Sequence, residues 1–353
     1  WPYPAGAERQ ETRFFAEGHF YTPDRRANFI ATPYRAPMAG LSADFPLRMN
    51  TGRIRDQWHT MTRTARTSRL MSHMGEPYVE IHPSDAIRNG LQSADLARVQ
   101  SAHGSAILRV VVTKRQPEGA VCTAMHWTDQ FASQGRIGAL IESHRDPVSG
   151  QPELKHSAVR VTRFAPAWYG FAVMTRRPDT SAFAYAAASP AKGGWRLEFA
   201  LSETPETWEL LAAELLSSET CEAPELLSYL DNNRGLYRFA AFDGNRCHGV
   251  LFIGTEPVAA SRTWAASQMN AVLAPADRYR LLAGRPGADM PDKGAIVCSC
   301  FEVGANEIRD VAAKGGCRTV EAVGMRLNAG TNCGSCRAEI GRMLRETEVA
   351  KAV

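Results

Sequence analysis

Four cysteines near the end of the chain lie in two close pairs. Cys298 and Cys300 form a C-x-C pair, and Cys333 and Cys336 form a C-x-x-C pair. At these spacings two thiolates can reach the same metal centre, and two such pairs together supply four sulfur ligands. Thiolates are soft ligands that suit either zinc or an iron–sulfur cluster, so the spacing alone leaves both readings open.

The segment around these cysteines is predicted to contain short helices. Apolar residues recur at helical spacing over residues 306–314, and further helices fit residues 319–327 and 339–346. A module of about 60 residues has too small a core to be stable without a metal or a comparable crosslink. The sequence therefore predicts a small helical module that is stabilised by its metal centre.

The residues around the four cysteines resemble a known family. The segments CSCFEVG at 298–304 and AGTNCGSCRAEI at 329–340 are similar to the bacterioferritin-associated-ferredoxin-like (BFD-like) module. In that family the four cysteines hold a [2Fe-2S] cluster. The resemblance thus implies a [2Fe-2S] cluster bound by Cys298, Cys300, Cys333 and Cys336, with structural zinc as the alternative.

A barrel-like domain is predicted earlier in the chain. Short apolar or alternating runs at 78–82, 95–101, 105–112 and 120–125 are separated by glycine-containing turns. Repeated strands of this length favour a closed β-barrel, here with six strands.

Residues 51–60 form an unusually polar run beside this predicted barrel. They combine hydroxyls, an amide, an imidazole, an indole and guanidinium groups. Gly52 permits close backbone approach, and Arg53 can pair with a phosphate through two hydrogen bonds. The run is suited to a polar, anionic ligand with an aromatic ring. The alternative is a solvated loop anchored by Trp58.

Several motifs in this domain resemble a second family. The segments LRMNTGRIRDQWHTMTRT, VEIHPSDA, AMHWTDQFAS and DPVSGQPELKHSAVRV occur in that order between residues 47 and 161. They are similar to the pterin-binding domain of molybdopterin oxidoreductases, and most of all to that of bacterial assimilatory nitrate reductases. The resemblance covers roughly residues 8–164 and implies a molybdenum bis(molybdopterin guanine dinucleotide) cofactor.

The second resemblance also implies particular cofactor contacts. Carried over position by position, these contacts fall on Thr51, Gly52, Arg53, Ile54, Arg55, Asp56, Gln57, Trp58, His59, Thr60, His126, Trp127 and Lys155. One position departs from the pattern, because Gly138 stands where related periplasmic enzymes have an asparagine. A pterin contact is therefore expected to be lost there or supplied from elsewhere.

The resemblance implies an enzyme that reduces nitrate to nitrite, with electrons passing inward through the [2Fe-2S] cluster. The donor would be ferredoxin, flavodoxin or a subunit that uses NAD(P)H. The family's molybdenum ligand and its [4Fe-4S] cluster belong to N-terminal domains that nothing in this sequence matches. We therefore expect the chain to be a fragment, partnered by those domains, and we assign it no catalytic residue. Formate dehydrogenase and a non-enzymatic zinc-binding interaction module are the alternative functions.

Residues 166–290 are predicted to form a small α+β domain. Strand patterns at 168–174 and 195–200, a helix at 204–217 and a hairpin at 237–254 precede a helix at 258–273 and a linker at 281–287. The hairpin resembles the small C-terminal domain of flavin-dependent nitrite and ferredoxin reductases. Because the region has no nucleotide-binding glycine motif, we expect a docking or spacer domain rather than a flavin site.

Composition excludes several classes of protein. The formal net charge is +4, and the densest basic run, at 53–69, lacks the aromatic interleaving of a nucleic-acid surface. No apolar run approaches the about 18–20 residues that span a bilayer, so no membrane partner is expected. Eight cysteines without a disulfide framework indicate a reducing compartment, and hence the cytoplasm. Cys122, Cys221, Cys247 and Cys317 are expected to be ordinary small apolar residues.

The predicted organisation has three parts. Residues 1–165 form the β-barrel-like molybdopterin-dinucleotide-binding domain, opened by an approach segment at 1–40 with short strands at 14–20 and 27–30. Residues 166–290 form the α+β domain, and residues 291–353 form the helical [2Fe-2S] module.

Overall fold

The computed structural model describes residues 5–8, 11, 13–217, 224–287 and 291–351, with the backbone alone at 348–351. It divides into two compact units, Trp1–Met38 and Ala39–Val353. In the first unit the predicted strands at 14–20 and 27–30 are instead turns and irregular chain. Aromatic residues of both segments are exposed rather than packed on a sheet, since Phe14 is 49% and Phe29 98% accessible.

The second unit begins with a closed barrel of six strands, which confirms the predicted architecture. Alternate side chains point inward and are fully buried, among them Met49, Val79, Val99 and Val121. The strands are β1 Leu47–Gly52, β2 Tyr78–Ile81, β3 Leu96–Gln100, β4 Ser105–Val112, β5 Ala120–Ala124 and β6 Ser157–Phe164. Their order is β1-β5-β2-β4-β3-β6, with β1/β5 and β2/β4 parallel and the other pairs antiparallel.

Two short helices lie on the barrel connections, α1 at Ser68–Met71 and α2 at Pro83–Arg88. The start of α2 follows from its sequence, because Pro83 occupies its first turn and the His82 ring accepts a hydrogen bond from the Ser84 amide.

A six-stranded sheet follows the barrel. It contains β7 Trp168–Met174, β8 Tyr185–Ala191, β9 Gly194–Leu201, β10 Glu225–Asp231, β11 Leu236–Asp243 and β12 Arg246–Gly254, in the order β10-β11-β12-β7-β9-β8. Helix α3, Trp208–Leu216, packs on it through Ala212, Leu215 and Leu216. The predicted hairpin and the helix in this region are confirmed.

Other features of this region differ from the sequence-based expectation. The predicted helix at 258–273 is limited to α4, Arg262–Ser267, and the linker predicted at 281–287 begins inside a 3-10 helix, Pro275–Ala283. Backbone pairing explains the short helix, because the Cys247 amide donates to the Ala271 carbonyl and holds that segment against the start of β12. Strands β8 and β10 were not predicted, because β8 is rich in alanine and the side chains of the edge strand β10 are largely exposed.

A cluster of buried charges lies where the sheet meets the barrel. Glu198 on β9 is 3% exposed and accepts two hydrogen bonds from Arg262, at 2.9 and 3.0 Å. The guanidinium groups of Arg196 and Arg109 lie 3.8 and 3.9 Å from the same carboxylate. One carboxylate thus compensates part of the charge of three buried arginines.

The cysteine-bearing segment forms a small module around its own core. A two-stranded sheet, β13 Ile296–Cys298 and β14 Val303–Gly304, precedes α5 Ala305–Ala313, α6 Val320–Leu327 and α7 Arg337–Lys351. Ile308, Val323 and Ile340, one from each helix, are fully buried together. The three predicted helices are confirmed. Over the described ranges, no helix has the length and apolar character required to cross a bilayer.

The remaining cysteines fit the expectation that they are ordinary small residues. Cys247 is fully buried, and Cys317 is buried in the core of the cysteine-bearing module. Cys122 is half-buried on β5. Cys221 lies outside the described residues.

Candidate functional site

The loop assigned to the pterin cofactor begins at the end of β1. Strands β1 and β5 run parallel, with Thr51 opposite Thr123, so the segments that follow them leave the barrel side by side. A Cβ atom at Gly52 would lie 3.3 Å from the Cys122 sulfur, so the absence of a side chain there allows the close contact of the two strands.

His126, two residues after β5, holds this loop in shape. Its Nε2 accepts a hydrogen bond from the Ile54 amide at 2.9 Å, and its Nδ1 donates to the His59 carbonyl at 2.7 Å. The ring is fully buried, and this burial lowers the pKa of His126, which favours the neutral form that the two bonds require. His126 thus fixes both ends of the segment 54–59 from the turn that follows β5.

The outer side of the loop carries polar and aromatic groups. Arg53, Trp58, His59 and Thr60 are all exposed. The Arg63 guanidinium lies 4.6 Å from the centre of the Trp58 ring, and the His59 ring meets the indole edge-to-face at 5.1 Å. This surface combines positive charge with a flat aromatic face, which suits an anionic ligand that carries a base.

The side chains on the inner side of the loop pack and form hydrogen bonds within the protein. Ile54 is 3% and Gln57 5% exposed. The Gln57 side-chain carbonyl accepts a hydrogen bond from the Thr64 hydroxyl at 2.5 Å. These two residues support the loop and leave its outer residues free to face a ligand.

Lys155 joins the loop from the segment that precedes β6. Its ammonium group donates to the Thr51 carbonyl and lies 3.4 Å from the Thr51 hydroxyl. The Thr51 hydroxyl in turn donates to the Leu154 carbonyl at 2.9 Å. The structure therefore brings together the two ends of the predicted contact set, which are more than a hundred positions apart in sequence.

Several buried hydrogen-bond donors near the pterin loop indicate whether a cofactor could fit there. Trp127 is 2% exposed, and its indole N–H has no hydrogen-bond partner among the described residues. The hydroxyls of Thr123, Thr128 and Ser157 are likewise unpaired within the described structure. Because unpaired buried donors are costly, a polar ligand or ordered water is expected to satisfy them. The residues present therefore fit a large polar cofactor.

Gly138, the position that departs from the family pattern, lies in a 3-10 helix at Ile137–Leu140. The position is exposed, and a Cβ atom built there meets no atom of the described structure within 4 Å. An asparagine side chain would have room at this position. Steric crowding therefore does not explain why this chain has glycine where the related enzymes have a polar side chain.

The four cysteines come together as two mixed pairs. The Cys300 and Cys333 sulfurs are 3.4 Å apart, and the Cys336 thiol is hydrogen-bonded with Cys298. Each pair therefore joins one residue of the C-x-C motif to one of the C-x-x-C motif. In the described part of the chain, no three His, Cys, Asp or Glu side chains have the arrangement of a metal-ion site. Two pairs of thiols are the donor set that a two-iron cluster takes.

The environment of these thiols differs within the site. Cys298 and Cys336 are each 2% exposed, whereas Cys333 is exposed. Burial, reinforced by the neighbouring Cys298, raises the pKa of Cys336 to about 12. The Ser335 hydroxyl, 3.1 Å from the Cys333 sulfur, lowers the pKa of Cys333. Four thiolates this close repel one another unless a metal centre lies among them.

Asp56 connects the pterin loop to both cysteine motifs. Its carboxylate accepts a hydrogen bond from Ser299, which lies between Cys298 and Cys300, at 3.0 Å. It accepts a second from Ser335, in the C-x-x-C motif, at 3.4 Å. The Asp56 side chain is 6% exposed, whereas Ser335 lies at the surface.

Arg55 makes the adjacent contact. It donates to Asp56 at 3.0 and 3.1 Å, to the Val297 carbonyl at 2.5 Å and to Glu339 on α7 at 2.7 Å. Burial alone would lower the pKa of Arg55, but the two carboxylates outweigh it and the pKa is raised. His73 lies on the same contact, 3.3 Å from Glu339. Ser299, Ser335, Glu339 and His73 were not predicted from the sequence, since no local pattern marks a contact between distant segments.

Comparisons with known families agree with this geometry. Residues 47–158 match the molybdopterin dinucleotide binding domain, and residues 296–346 match the BFD-like [2Fe-2S] binding domain. The chain therefore carries a molybdopterin dinucleotide binding domain, followed further along the chain by a BFD-like [2Fe-2S] binding domain.

Individual proteins are similar to longer parts of the chain or to the same domain. The chain is 34% identical to a nitrate reductase from Klebsiella oxytoca over 348 residues, covering 91% of this chain and 36% of that protein. A nitrate reductase from Shewanella frigidimarina is 31% identical over 46% of this chain and 20% of its own length. The F420-dependent formate dehydrogenase 1 subunit alpha of Methanococcus maripaludis is 29% identical over 40% of this chain and 20% of that protein. The chain is thus a nitrate reductase homologue that spans about a third of the length of the Klebsiella relative.

Proposed function

We propose that this chain is part of a cytoplasmic, molybdenum-dependent assimilatory nitrate reductase that converts nitrate to nitrite. The observation that carries the proposal is the union of a polar pterin loop and a four-cysteine centre in one compact unit, joined through Arg55 and Asp56. The nitrate reductase homologues supply the substrate class. The reducing compartment follows from cysteines in metal-ligand spacing rather than in disulfides.

The barrel residues would bind and orient the pterin dinucleotide. Arg53 offers a guanidinium to the pyrophosphate, Trp58 a flat face to the guanine, and Trp127 an unpaired buried donor. Lys155 adds positive charge beside Thr51. When bound, the molybdenum cofactor supplies the redox chemistry on nitrate, and these residues hold it in place.

Cys298, Cys300, Cys333 and Cys336 would hold the [2Fe-2S] cluster that relays electrons from a donor protein. The partly exposed pair, Cys300 and Cys333, faces the side from which a donor can approach. We infer that the donor is ferredoxin, flavodoxin or an NAD(P)H-linked subunit, and that the whole enzyme also carries a [4Fe-4S] cluster in domains preceding the barrel. The sheet of β7 to β12 would be a spacer or docking domain.

Formate is the second candidate substrate, since a formate dehydrogenase subunit is among the relatives. The two substrates can be separated by one assay on the natural full-length protein. Nitrate should oxidise reduced methyl viologen, with two dye molecules consumed per nitrite formed, whereas formate should not reduce the oxidised dye. Formate turnover without nitrate turnover in molybdenum-loaded enzyme would reject the nitrate assignment.

Pterin binding can be tested separately by replacing Arg53 with alanine. Loss of a charged hydrogen-bonding group should weaken cofactor retention roughly tenfold or more. The measurement is the guanine dinucleotide content of purified enzyme. Arg66→Ala removes another exposed arginine of the same basic run and serves as the control, with unchanged content expected. Equal losses in both variants would contradict the assigned role of Arg53.

A further inference from the structure

We propose that Arg55 and Asp56 are positioning residues that dock the cluster module onto the pterin loop and whose charges set the reduction potential of the cluster. The inference rests on the proposed function, because it requires a [2Fe-2S] cluster on the four cysteines. It gives these two side chains a different role from the pterin contacts that the family resemblance implies.

The contact reaches both ligand-bearing loops at once. Ser299 and Ser335, each inside one cysteine motif, donate to different oxygens of the same Asp56 carboxylate. A shift of either loop would break one of these bonds. Asp56 therefore fixes the two cysteine motifs relative to each other as well as relative to the barrel.

Arg55 extends the contact to the elements that flank the cysteines. It binds the Val297 carbonyl in β13, next to Cys298, and Glu339 in α7, three residues after Cys336. Its side chain is 17% exposed and that of Asp56 is 6% exposed. Because little solvent screens these two charges, they should affect a nearby cluster more strongly than surface charges would.

The barrel end of this contact is also fixed. Arg55 and Asp56 follow Ile54, whose amide is bound by the buried His126 ring. The same ring binds the His59 carbonyl on the other side of the pair. The short segment that docks the module is thus held by His126 on both sides. Arg53 and Trp58, the groups assigned to the dinucleotide, each lie two positions from the Arg55–Asp56 pair.

The two charges should act on the cluster in opposite directions. Reduction adds one electron to a cluster that is already negative, so a nearby carboxylate disfavours reduction and a nearby guanidinium favours it. Asp56→Asn should therefore raise the potential, and Arg55→Gln should lower it. A merely structural role would loosen the same contact in both variants and would shift both potentials in one direction.

The test is a redox titration of the full 353-residue chain with dithionite as reductant, followed by the electron paramagnetic resonance signal of the reduced cluster. We expect the two variants to differ by at least tenfold in the one-electron equilibrium, which is about 59 mV. Asp310→Asn, an exposed change of the same charge on α5, is the control and should shift the potential far less.

A second variant covers the case in which Asp56→Asn fails to bind iron. Ser299→Ala removes a donor from the Asp56 carboxylate and leaves its charge less compensated, so the potential should fall. Shifts of the same sign in the Arg55 and Asp56 variants, or shifts no larger than that of the control, would overturn the inference. Absence of two irons and two sulfides from the unsubstituted chain would instead overturn the proposed function on which it rests.

Discussion

Replacing Cys336 with serine is expected to remove nearly all iron and acid-labile sulfide from the chain. Cys336 is buried beside Cys298 and supplies one of only four thiol ligands, and a hydroxyl is a much harder donor than a thiolate. Because the module has a small core, loss of the centre should also unfold part of it. Iron and sulfide per chain, measured after anaerobic purification, give the result.

Cys317 offers a matched control for this change. It is buried in the same module core, 3.7 Å from the Ala322 carbonyl, and it belongs to neither cysteine motif. Cys317→Ser should keep the iron content of the unsubstituted chain. Full iron content in Cys336→Ser, or equal loss in both variants, would contradict the assigned ligand set.

Replacing Glu198 with glutamine should destabilise the chain by about 3–5 kcal/mol, since it removes the carboxylate that pairs with the largely buried Arg262 and Arg196. Glu198 is almost fully buried and faces the guanidinium groups of Arg262, Arg196 and Arg109. For a cooperative transition of this length the midpoint of thermal unfolding should fall by about 4–7 °C. Glu206→Gln, at an exposed position, should change the free energy of unfolding by less than about 0.5 kcal/mol.

The contribution of Glu198 should also depend on pH. Burial alone would raise the pKa of Glu198, but Arg262 and the other two arginines outweigh it and the pKa is lowered from its ordinary value of 4.5. A lowered native pKa means that the stabilisation is complete above 4.5 and is lost as the pH falls below that value. The difference between the unsubstituted chain and Glu198→Gln should therefore narrow in acid. A difference that is constant from pH 7 to pH 3 would show that charge pairing is not its cause.

Regular patterns in the sequence predicted much of the fold. The alternation around Val79 and Val99, and the helical spacing around Ile308, each reflect a single buried face that a short segment encodes by itself. The helix predicted at 258–273 was wrong beyond Ser267, because the Cys247–Ala271 backbone pairing is a tertiary contact that local propensity does not register. Strand β10 was not predicted because it is an edge strand with largely exposed side chains, and its sequence therefore lacks an apolar pattern.

The functional site likewise contains residues that the sequence predicts and contacts that only the structure shows. Close spacing marked Cys298 with Cys300 and Cys333 with Cys336, so those ligands could be chosen from sequence before any geometry was known. The contact from Asp56 to Ser335 joins residues 279 positions apart, and no local pattern predicts it. Likewise, the sequence could mark His126 as a residue near the ligand, but only the structure shows that both its ring nitrogens bind the loop backbone.

We expect the four cysteines to hold a two-iron cluster docked against a pterin-binding barrel. The most direct measurement is the content of iron, zinc and acid-labile sulfide in the 353-residue chain purified without oxygen. Two irons and two sulfides per chain, with zinc near zero, are the expected result. One zinc per chain without sulfide would contradict it and would favour a zinc-binding interaction module.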